Sequence, residues 1–91
     1  MKHASSQALD KLEAFLAKLR SLDGLKERSR GVFYRRGKAF LHFHEHGPEF
    51  YADVRIAEDF ERLAATSASE RAALLKRVKE SLSDGSGRSP R

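Results

Sequence analysis

The chain has 91 residues, enough for one domain and too few for two. It contains no cysteine, which excludes a disulfide framework, a thiolate metal site and a cysteine nucleophile. The net charge is +5, and the excess lies in one stretch: between Gly24 and Lys38 six basic residues stand against Glu27 alone, while the rest of the chain is balanced. The N-terminus is polar, and no apolar run approaches the roughly 20 residues of a membrane span. A cytoplasmic protein without a membrane segment is therefore expected.

In chain order, Ser5 or Ser6 is placed to cap a helix over residues 6–22. Leu9, Leu12, Leu16 and Leu19 recur at spacings of three and four, Phe15 and Leu22 widen the stripe, and the charged residues fall mostly on the other side. Gly24 supplies a stop. From Gly31 the period changes to two, and β-branched and aromatic residues dominate. Turn signals at Arg36-Gly37-Lys38 and His46-Gly47-Pro48-Glu49 divide this stretch into strands over 31–36, 39–46 and 50–56. Short loops make neighbouring strands antiparallel.

Alternation predicts the faces. Leu41 and Phe43 join Ala52, Val54 and Ile56 toward the helices. Phe40, His42, His44 and His46 point the other way, with Tyr51, Asp53 and Arg55 of the next strand beside them. Residues 58–64 read as a short extra helix or turn with Phe60 and Leu63 inward. Ser67 and Glu70 form a capping box that opens a last helix carrying Leu74, Leu75, Val78 and Leu82 and ending near Leu82. Residues 83–91 hold nothing to bury and read as a disordered tail. The fold class is α+β: a three-stranded antiparallel meander packed against an N-terminal and a C-terminal helix, all within a single domain over 1–82. Its expected core is Leu9, Leu12, Leu16, Leu19, Leu41, Phe43, Val54, Ile56, Phe60, Leu63, Leu75 and Val78.

Two constellations carry chemistry. His42, His44 and His46 share a face at roughly 6–7 Å spacing along a strand. Imidazoles so placed can ligate one zinc, copper or nickel ion, with Asp53 of the adjacent strand facing the same way. The bland alternative is a wet polar face. The second constellation is basic. Arg28, Arg30, Arg35, Arg36 and Lys38 bracket Val32-Phe33-Tyr34 and the Gly37 turn. A hairpin with a basic tip suits a nucleic-acid backbone or another anion, and an exposed Tyr34 suits base stacking. Basic residues at a hairpin tip also protect a sheet edge from unwanted pairing. Self-association is a third reading, because two helices on one side of a three-stranded sheet leave Phe40 and Phe33 partly bare on the other.

The stretch from Gly31 to Gly47, followed by Phe50 to Ile56, resembles two groups of small bacterial proteins. Gly37 to His44 and Asp53-Val54-Arg55 are similar to the uncharacterised "luciferase domain" family. The later Ser-Gly-Trp turn of that family is absent, since the chain has no tryptophan. The helix-then-hairpin order, with Phe33 to Phe40 as the F-x-x-x-G-K-x-F segment, is similar to the YjbR-like (MmcQ) family. That second resemblance implies an α+β fold likened to DNA-binding modules. Taken together, the residues predict a non-catalytic binding or interaction domain working through the sheet face and the basic hairpin, with an unidentified protein or a second copy as partner. The alternatives are a nucleic-acid-binding module and a histidine-based metal or enzymatic site. Zinc is the one cofactor the residues suggest.

Overall fold

A computed structural model describes residues 2–87. The elements in chain order are β1 (Lys2–His3), α1 (Ser6–Lys11), α2 (Glu13–Arg20), β2 (Lys26–Ser29), β3 (Val32–Arg35), β4 (Lys38–His46), β5 (Glu49–Arg55), β6 (Phe60–Ala64) and α3 (Ala68–Gly87). The protein is α+β, and the described residues form three helices and one antiparallel sheet in the order β2-β3-β4-β5-β6. The expected meander is present as β3-β4-β5, and the sheet extends beyond it on both sides. β1 pairs with the far end of β4, through Lys2↔Glu45 and His3↔His44, where β3 no longer runs alongside.

Local chemistry accounts for the punctuation. Ser5 caps α1, its hydroxyl accepting from the Ala8 N–H at 3.2 Å. The single helix expected over 6–22 is divided at Leu12 (φ −95°, ψ 2°), whose N–H is shared between the carbonyls of Ala8 and Leu9. The capping box forms as expected: Glu70 N–H donates to the Ser67 hydroxyl, and Ser67 N–H donates to the Glu70 carboxylate. Both Arg36 and Gly37 have positive φ, the backbone of a two-residue type I′ hairpin between Arg35 and Lys38. Gly31 is needed twice over. Its φ is +79°, and a Cβ there would stand 2.7 Å from a Leu9 methyl.

Several expectations are corrected. Residues 60–64 form a strand, not a helix, because the open edge of β5 satisfies their backbone through the register Asp53↔Arg62 and Arg55↔Phe60. Phe60 therefore stands on the outer face and is exposed rather than in the core. Phe40 is buried with the inner residues, not beside the histidines. Pairing shifts between Phe33 and Tyr34, so that β4 carries one extra residue, Phe40, opposite β3, and consecutive Phe40 and Leu41 both enter the core. With Phe33 and Phe40 both buried, the partly bare aromatic face expected for self-association is not there. α3 continues past Leu82 to Gly87; the tail expected over 83–91 lies, from residue 88 on, outside the described residues.

One core joins the helices to one face of the sheet. Leu12, Leu16 and Leu19 of the N-terminal helices, Phe33, Leu41 and Val54 across three strands, Phe43 and Ala52 beside them, and Leu74 and Val78 of α3 are all closed to solvent. Ile56, Leu63 and Leu75 pack at its margin. Among the described residues, no helix is long and apolar enough to cross a membrane.

Candidate metal centre

The outer face of the sheet carries the histidines, and register brings them together. His42 stands opposite Asp53, which stands opposite Arg62; His44 stands opposite Tyr51 on one side and His3 on the other. Directly paired residues share a face, so four strands deliver His3, His42, His44, Asp53 and Arg62 to one patch.

Asp53 is its hub. Arg62 grips both carboxylate oxygens, Nε to Oδ1 at 2.7 Å and Nη2 to Oδ2 at 2.9 Å. That bidentate pair, more than the neighbouring histidines, holds the Asp53 carboxyl below the usual carboxylate range against the opposing effect of burial. Oδ2 also lies 3.0 Å from His44 Nε2 and 3.5 Å from His42 Nε2.

His44 is the unusual member. It is 8% exposed although it faces away from the core. The His3 ring covers it at 4.8 Å and the His42 ring packs edge-on at 4.9 Å. The contact with Asp53 is short but not aligned as a hydrogen bond, so both His44 ring nitrogens are buried without a hydrogen-bond partner. An unpartnered buried polar group costs about 1–3 kcal/mol. His42 is half-buried, and that burial, followed by the neighbouring imidazole of His44, pushes its pKa below the ordinary 6.5, with Asp53 acting the other way. Phe60 closes the side of the patch, its ring 5.3 Å from that of His42 and its other face under the Arg55 guanidinium.

The donor atoms of His42, His44 and Asp53 all lie within 4.8 Å of one another. In a tetrahedral site with bonds of about 2.0–2.1 Å, neighbouring donors stand about 3.4 Å apart, close to the two Nε2–Oδ2 separations. An ion would need both imidazoles neutral, as the lowered pKa of His42 favours, and would take one lone pair of Oδ2 while Arg62 holds the carboxylate in orientation. Cavities of about 400 Å³ beside α3 and about 330 Å³ between β6 and α3 are lined by other residues.

The sequence-predicted residues divide accordingly. His42, His44 and Asp53 come together. His46 does not: it sits exposed at the end of β4 opposite Glu49, outside the cluster. Two participants were not foreseen. Arg62 was hidden by the helical reading of 58–64, and His3 by a polar terminus with no strand pattern. Their signals were slight: alternation of Phe60, Arg62 and Ala64, and a histidine at position 3.

The basic residues scatter. Arg30 donates to Asp10 and Glu13 of the N-terminal helices, each at 2.8 Å. Together with Arg20, it holds the Glu13 carboxyl down at about 2. Arg28 lies over the Tyr34 ring at 4.6 Å, covering the surface expected to stack on a base. Arg35 reaches the carbonyls of Ser81 and Leu82 at the far end of α3. Arg36 and Lys38 flank the hairpin turn, where they line a 250 Å³ surface recess with Arg35 and Arg55.

No family model, no curated protein and no solved structure matches this chain. The fold and the side-chain geometry therefore carry the functional argument.

Proposed function

We propose that this is a non-catalytic metal-binding domain that holds a divalent first-row transition ion, zinc above all, on the outer face of its sheet through His42, His44 and Asp53. One observation carries the reading: a histidine buried on the outer face makes no aligned hydrogen bond through either ring nitrogen, while its Nε2 lies 3.0 Å from a carboxylate oxygen that a second histidine shares. An ion would supply the missing partner. Two imidazoles and a carboxylate suit zinc and its neighbours rather than magnesium or calcium, which take oxygen ligands. A polyanion-binding reading has less support, since Arg30 and Arg35 are already engaged within the chain.

Titration of metal-stripped protein with zinc tests the proposal. One equivalent should bind and raise the melting temperature, with a gain of about 2.7 kcal/mol when free zinc reaches 100 times Kd. His42→Ala and His44→Ala should each abolish that gain, and His46→Ala should leave it unchanged. A melting curve that zinc does not move would refute the reading.

A further inference from the structure

We propose that His3 supplies a fourth ligand to this ion, so that metal binding closes the site and ties the N-terminal strand to the sheet. The inference rests on the metal reading above and extends it to a residue outside the three-residue cluster. β1 is only two residues long, and it pairs with β4 so that His3 stands directly opposite His44. The His3 ring lies 4.8 Å from the His44 ring and 5.6 Å from that of His42. Three imidazoles thus lie together, two of them against the Asp53 carboxylate. His3 itself is exposed, so its side chain can turn without disturbing the core.

The donor set changes with His3 included. Two imidazoles and a carboxylate leave one position of a tetrahedron open, as catalytic zinc sites do. Three imidazoles and a carboxylate fill all four, and no position remains for a water nucleophile. The centre then acts as a staple. Beside the β1 ladder, Ala4 N–H donates to the Phe43 carbonyl at 3.0 Å and Ser5 N–H to the Glu45 carboxylate at 2.6 Å. A two-residue strand is a weak attachment on its own. An ion bridging His3 to His42, His44 and Asp53 would convert it into a fixed one and would cover His44 permanently.

Cobalt(II) reports coordination number, because four-coordinate sites give far stronger visible bands than five- or six-coordinate ones. Full-length, metal-stripped protein titrated with cobalt should develop the intense four-coordinate spectrum. His3→Ala, with water in the place of an imidazole, should give bands of different position and intensity and bind zinc at least tenfold less tightly. Zinc should slow amide hydrogen exchange at His3 and Ala4 in the native chain and not at Ala4 in the variant. His3→Ala that keeps native affinity and spectrum, while His42→Ala and His44→Ala lose binding, would overturn the role of His3 and leave the three-residue site standing. A native chain that takes up neither cobalt nor zinc would overturn both.

Discussion

The basic segment from Lys26 to Lys38 and the histidine strand from His42 to His46 both stand out in the sequence, and folding treats them in opposite ways. The arginines find partners within the chain. Arg30 is taken by Asp10 and Glu13, Arg35 by carbonyls of α3, and Arg28 by the Tyr34 ring. The histidines converge instead on one shared carboxylate, Asp53. His44 is buried with both nitrogens unpartnered, and its neighbour His42 shares the same carboxylate oxygen. A run of like charge in a sequence reports only what is available for pairing. Unsatisfied chemistry in the folded chain says where a ligand belongs.

This contrast depends on a sheet whose inner face is sealed, and the largest predicted effects test that. Leu16→Ala and Phe43→Ala remove side chains that are 0% and 2% exposed. Each should cost about 2–5 kcal/mol in a denaturant melt. Two substitutions with little loss would mean that the core, and with it the assignment of faces, is misplaced. Gly31→Ala should cost about 1–2 kcal/mol for its left-handed backbone. It should also weaken the β2–β3 turn that delivers Glu27 to Arg20 and to the Gly31 N–H. Asp53→Asn tests the hub. Loss of the charge that Arg62 grips should cost about 1–3 kcal/mol without metal and should abolish the zinc-dependent gain.

Acid separates the two regions. The folded pKa of His42 lies below its ordinary 6.5, so the folded state binds fewer protons there than the unfolded chain. Its contribution is fully present above about pH 6.5 and is lost as pH falls toward the folded value. Glu27 in the basic segment, and Glu13 of α2 that pairs with its Arg30, are also depressed from 4.5, Glu27 by Arg20 and Glu13 by Arg20 and Arg30, with Glu13 at about 2. Their contribution is lost only as pH falls below about 4.5. Melting temperature against pH should therefore drop in two stages, and His42→Gln should remove the upper one alone. The smallest effect belongs to Arg30→Ala. Its pairs are exposed, so melting should shift slightly, and the shift should fade in high salt.

Much of the site was readable because strand periodicity is rigid. Once Leu41 and Phe43 are assigned inward, His42, His44 and Asp53 must face out together, and they do. What was unreadable depended on pairing partners rather than on local pattern. Phe60 to Ala64 contains Glu, Arg, Leu and Ala, all at home in a helix. The segment becomes a strand because β5 offers an open edge. Lys26 to Ser29 has no apolar alternation to mark β2, and Lys2-His3 is too short to carry a period at all. Phe40 was misassigned because strict alternation admits no extra residue, and a shift of register supplies one. Arg62 and His3, the unforeseen neighbours of the site, lie in segments of this kind.

The two ring nitrogens of His44 decide whether an ion belongs here, and nitrogen NMR of the histidine side chains reads them. With one equivalent of zinc at neutral pH, a single ring nitrogen of His44 and one of His42 should move to the metal-bound range, while His46 stays where it was. Unchanged His44 nitrogens in the presence of excess zinc would contradict the account.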